Sequence, residues 1–154
     1  MESIISLYIS RICKVIKQKI IKIQKYGEVK NVLYGDLIAI INNHFKLASE
    51  GGFYIFDREA VALTGLADAY EHMLDKTGME ALLAKPIEEI RSTFEEISDY
   101  QKETFATCVV NALVQGLEIS TVKINLIEEI TGSPIMTRVD DRLNFEKKVA
   151  ESEA

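Results

Sequence analysis

The stretch TFATCVVNALVQGL, residues 104–117, contains no charged side chain. Its apolar residues are spread almost all round a helix rather than along one stripe, which marks a helix surrounded by others. At 14 residues it is short of the ~20 that a membrane-spanning helix needs. A central, buried helix requires amphipathic neighbours, and the flanking sequence supplies them.

Downstream, a helix is expected from Ser120 to Thr131, stopped by Gly132 and Pro134. A last one covers about Arg138–Val149, with Val139, Leu143 and Val149 facing inward, followed by a frayed tail at 151–154. Upstream, Pro86 sits in the first turn of a helix whose inner side is Ile87, Ile90, Phe94 and Ile97. Before it, Asp57 caps a helix running to about Lys76, with Leu63, Leu66, Ala67, Tyr70, Met73 and Leu74 inward and Gly78 as its stop. Residues 80–84 form a short helical turn. An earlier helix starts near Asp36, carries Leu37, Ile38, Ile41, Phe45 and Ala48, and ends at Gly51-Gly52. Phe53–Phe56 is aromatic and β-branched and reads either as a short strand, with 29–34 as its nearest partner, or as an extended buried connector. The expected fold is all-α in the main: one domain over residues 1–150, a bundle of about six helices, and one short strand or hairpin near 29–34 and 53–56.

Residues 2–25 show apolar spacings of three and four, through Ile4, Ile5, Tyr8, Ile9, Ile12, Val15, Ile16, Ile20 and Ile23. This predicts an amphipathic N-terminal helix whose other half presents Arg11, Lys14, Lys17 and Lys25, with Lys19 an exception on the apolar side; these four and Lys22 are its candidate contact residues. Charge is divided unevenly. Residues 1–31 hold seven cations and two anions; the rest of the chain holds 11 cations and 22 anions. Such asymmetry points to an anionic partner for one end, or to attraction between the two parts.

The 154 residues suffice for one well-cored domain, and 47% of them are hydrophobic. Cys13 and Cys108 are far apart and form no metal or redox motif, which suits a reducing compartment. No signal-peptide pattern is visible and a cytoplasmic protein is expected.

Several groups are candidates for chemistry. Asp68, Glu71, His72 and Asp75 recur at i, i+3, i+4 and i+7, so one helix face would offer Asp68, His72 and Asp75 to a metal. Glu88, Glu89, Glu95, Glu96 and Asp99 form an acidic series opposite the Ile87/Ile90/Phe94 stripe. Its part EEISD, residues 95–99, resembles half of the carboxylate pattern of all-α nucleotide pyrophosphohydrolases, which implies Mg²⁺-dependent hydrolysis; the second half, Glu-x-x-Asp on a following helix, is missing. Cys108 lies in an apolar setting that makes a thiol inert. His44 has no nucleophile linked to it by a motif, and no phosphate-binding glycine loop occurs.

Residues 126–143 resemble a helix-turn-helix, with Ser133-Pro134 as the turn and Thr137, Arg138 and Arg142 as the base-reading side chains. Asp140 and Asp141 on the same helix oppose contact with phosphates.

The sequence therefore favours a non-enzymatic regulatory or protein-interaction protein without a cofactor. Its partner would be another protein with a basic surface, masked by Glu88, Glu95, Glu96 and Asp99, or a second copy of the chain. A DNA-binding regulator, acting through residues 126–143 or through the basic N-terminal helix, is the alternative, and a metal-dependent hydrolase on the acidic helices the third reading.

Overall fold

The computed structural model describes residues 4–9 and 27–153. Among them the chain is mainly helical, with nine helices and one three-stranded antiparallel sheet.

The sheet is where sequence and structure part most clearly. Strand β1 (Ile4–Ile9) lies between β2 (Val29–Leu33) and β3 (Phe53–Ile55). Both segments expected to be extended are strands, but they do not pair with each other. Ile4 stands opposite Leu33 and Tyr8 opposite Val29; on the other edge, Leu7 stands opposite Ile55 and Ile9 opposite Phe53. Residues 4–9 are thus strand, not helix. The run IISLYI has one polar residue in six, and so short an apolar run has no period that separates strand from helix. Its β-branched and aromatic content suits a pleated surface, and the central position closes one edge each of β2 and β3. The remainder of the expected basic helix, residues 10–25 with Arg11, Lys14, Lys17, Lys22 and Lys25, lies outside the described residues.

Helix α1 (Tyr34–Asn43) follows β2 directly, and α2 (Phe45–Ser49) follows it after a break at His44. Leu37, Ile40, Ile41 and Ala48 pack with Val32, Phe53, Ile55, Ala60, Val61 and Leu66 into a core on the sheet. Phe45, expected inside, is exposed. Gly52 N–H donates to the Leu47 carbonyl across Gly51, which stands at φ +82. This is the left-handed turn that ends a helix and that glycine adopts without strain.

The single helix expected from Asp57 to Lys76 is three pieces. Asp57 does cap, its Oδ1 accepting from Ala60 N at 3.0 Å. However, α3 (Arg58–Leu63) stops at Gly65, φ +76, where Leu66 N–H donates back to the Val61 carbonyl. Leu63 is consequently exposed while Leu66 is fully buried. After α4 (Ala67–Tyr70), Asp75 caps a new helix, α5 (Lys76–Leu83), by accepting from Gly78 N at 2.7 Å. Gly78, expected to stop a helix, lies in the first turn of one.

The C-terminal half follows the sequence closely. Helices α6 (Ile87–Glu96), α7 (Asp99–Val114), α8 (Thr121–Thr131) and α9 (Ile135–Ser152) form a bundle with α5. Ser98 and Ser120 cap α7 and α8 with their hydroxyls. Helix α7 packs against α5, α8 and α9. Phe105, Ala106 and Val109 are wholly buried, and Phe94 meets Phe105 edge to face, ring centres 5.2 Å apart.

The two cores meet at the start of α7. Ser98 Oγ donates to the carbonyl of Glu50, and Gln101 Oε1 accepts from Leu74 N at 2.7 Å. Gln101 is only 4% exposed. It fits because position 51 lacks a Cβ, which would stand 2.7 Å from Gln101 Nε2.

Removing this amide leaves the partly buried Leu74 N–H without its partner. Gln101→Ala is therefore expected to lower stability by about 1–3 kcal/mol. The neighbouring exposed change Asp99→Ala should stay within about 0.5 kcal/mol. Urea unfolding of the two variants beside the parent checks this.

Candidate interaction surface

Helix α6 is divided along its length. Ile90 and Phe94 are buried in the α7 core, with Ile97 just beyond the helix end. Glu88, Glu89, Glu95, Glu96 and, at the start of α7, Asp99 are exposed. Their local cations are partly spent: Lys85 Nζ lies 3.4 Å from Glu89 and Lys102 Nζ 3.7 Å from Asp99.

The acidic face is wider than the sequence suggested. The break between α4 and α5 lets His72 reach across to α6, with Nδ1 3.7 Å from Glu96 Oε2. Asp68, His72 and Glu96, together with Glu50, Ser98 and Gln101, line a cleft of about 190 Å³ where the two cores meet. Asp68 and Glu50 thus join the negative surface through tertiary approach, which no spacing along the chain reveals.

The metal candidate dissolves for the same reason. Asp68, His72 and Asp75 do not share a helix face, because the helix ends at Tyr70 and Asp75 is committed to capping α5. Among the described residues, no three His, Cys, Asp or Glu side chains come together as a metal site.

The helix-turn-helix candidate is also rearranged. Residues 132–134 do join α8 and α9, and Glu128 braces the turn by accepting from Met136 N at 3.3 Å. Arg138, however, turns inward to α7. Its guanidinium donates to Ser133 Oγ at 2.7 Å, Thr107 Oγ1 at 3.0 Å and Glu103 Oε1 at 3.3 Å. Arg142 donates to Asn111 Oδ1 at 3.3 Å. Of the three expected base-reading residues only Thr137 is exposed, and Asp140 and Asp141 accompany it. The arginines fasten α9 to α7 rather than facing outward.

No family model matches the chain, and neither does a curated protein or a solved structure. The surface must therefore be read from its own chemistry.

Two further concavities stand out among the described residues. One of about 820 Å³ lies between the ends of α5 and α7 and the start of α8, with Leu83, Cys108, Ala112, Leu117 and Ile119 in its wall. Its polar groups include Glu80, Glu118, Asn111, Gln115 and Lys123, and the Lys123 amine already donates to the Leu83 carbonyl at 2.8 Å. Cys108, in this wall, is 2% exposed, in keeping with a packing role. The other, beside the sheet, holds Tyr54, Phe56, Arg58 and Tyr70. Tyr70 Oη accepts from Ile55 N at 2.9 Å. Burial raises its phenol pKa above the ordinary value, outweighing that hydrogen bond. Burial likewise raises Tyr54, with the Asp75 carboxylate adding to it. Both phenols keep their protons at neutral pH, so neither offers a general base.

Among the described residues, no helix is long and apolar enough to cross a membrane.

Arg138→Ala should destabilise the fold by about 1–3 kcal/mol, because it strands three partly buried acceptors. Thr137→Ala, on the outward face of the same helix, should shift stability by no more than about 0.5 kcal/mol. Thermal or urea unfolding compares the pair.

Proposed function

We propose that the protein acts without catalysis, by binding another protein through the acidic face of α6 and the cleft beside it. The observation that carries this reading is the separation of roles on one helix. Ile90 and Phe94 are fully used inside, so α6 is held rigidly, while Glu88, Glu95, Glu96 and Asp99 stay in water. Asp68 and Glu50 extend the same negative surface across the start of α7. A fixed array of carboxylates attracts a basic partner over a distance and sets its orientation, contributing to association rate and selectivity more than to buried area. Its chemical complement is a protein surface bearing several Lys or Arg side chains, such as one that otherwise contacts nucleic acid.

The reading is supported by what the carboxylates are not doing. Those of α6 are not gathered round a nucleophile or a cation site, and their ion pairs are surface pairs, each worth about 0–1 kcal/mol. They are therefore available to exchange for stronger pairing with a partner.

The test uses a defined probe, a helical peptide with lysines at i, i+4 spacing, titrated at low and at physiological salt. The variant Glu88→Gln/Glu95→Gln/Glu96→Gln/Asp99→Asn should bind it at least about tenfold more weakly, corresponding to about 1.4 kcal/mol. Neutralising Glu118, Glu151 and Glu153, remote from α6 in sequence, should have a smaller effect. Equal losses for both sets would show only general attraction between opposite charges and would count against the reading.

A further inference from the structure

The last helix leaves a patterned face uncovered. Only Ile135 and Val139 of α9 are buried, and Leu143 and Val149, expected in the core, are each 37% exposed. Met136, Asp140, Leu143, Lys147 and Ala150 follow one another at spacings of 4, 3, 4 and 3 residues. At 100° per residue they fall within a sector about 80° wide, the seam of a two-helix coiled coil. All five are exposed. None of this stripe's charges has an ion-pair partner within the chain among the described residues: Asp140 and Lys147 are absent from every such pair.

We infer that this stripe pairs with the same stripe of a second copy of the chain, the two α9 helices lying antiparallel across a two-fold axis at Leu143. The sequence is self-complementary about that point. Leu143 meets Leu143 of the second copy and Met136 meets Ala150; Asp140, three residues before the axis, and Lys147, four after it, come within one residue's rise of each other, about 1.5 Å, close enough for their side chains to pair, and the symmetry repeats the contact. Such a contact is isologous and closes at two copies. The charges also exclude the other orientation. Parallel α9 helices in register would set Asp140 against Asp140 and Lys147 against Lys147, so repulsion fixes the antiparallel arrangement. Two heptads form a small interface, so the association is weak and reversible. The stripe is separate from the α6 face, and this inference does not depend on the proposed function.

Charge swapping gives a test that leaves the buried residues untouched. Sedimentation velocity of the full chain is run at high protein concentration and low salt. The parent should show a concentration-dependent dimer. Asp140→Lys alone and Lys147→Asp alone should each sediment as monomers, because each sets like charges opposite one another. Mixing those two variants should restore dimer, since each then supplies the charge the other lacks, and the double swap Asp140→Lys/Lys147→Asp should dimerise by itself. A monomeric parent, single variants that dimerise like the parent, or a mixture that stays monomeric would each overturn the inference.

Discussion

A helix with apolar side chains almost all round its surface cannot stand beside water, and α7 imposes that condition on everything near it. Burying side chains such as Phe105 and Val109 is worth roughly 1.5–3 kcal/mol each, but only if neighbours arrive from several directions. Helices α5, α8 and α9 supply those directions. Their own stripes need only one inward side each, which leaves their outer sides free for charge. The acidic face of α6 and the open stripe of α9 follow from this geometry: each lies on the far side of a helix whose inner side is committed to the same core.

The N-terminal part is attached to that bundle by polar bonds rather than by a continuous apolar core. Ser98 and Gln101, one turn apart at the start of α7, reach to the Glu50 carbonyl and the Leu74 amide. Polar groups so placed specify position, since only one docking of the sheet satisfies them. The same junction forms the cleft in which Asp68, His72 and Glu96 approach each other. An arrangement that looks like surface charge along the chain is thereby concentrated where the two cores join.

How much of this was legible depended on the length and strength of each local signal. The uncharged run 104–117, the caps Ser120 and Gly132, and the stripe Ile90/Phe94/Ile97 each repeat a signal over several turns, and the helices stand where those signals put them. Shorter signals were ambiguous. Asp57, Gly65, Asp75 and Gly78 lie within 22 residues. The spacing of Leu66, Tyr70 and Leu74 joined them into one helix, whereas the left-handed turn at Gly65 and the cap at Asp75 divide it. IISLYI is compatible with either period, and its state was settled by the two strands that needed a partner. For the candidate sites, the acidic residues of α6 were legible as an outward face, because the opposite stripe was. The inward turn of Arg138 and Arg142 was not, because it depends on Thr107, Glu103 and Asn111 being presented by a different helix.

The account stands on α7 as the innermost element, with the sheet fastened to it through Gln101. Native-state hydrogen exchange measures both together. Amides of Phe105 to Val110 should exchange only through global unfolding and be the slowest in the chain, and the Leu74 amide, outside any helix, should still be strongly protected. Faster exchange of the α7 amides than of those in α1, or a Leu74 amide exchanging like an open loop, would contradict it.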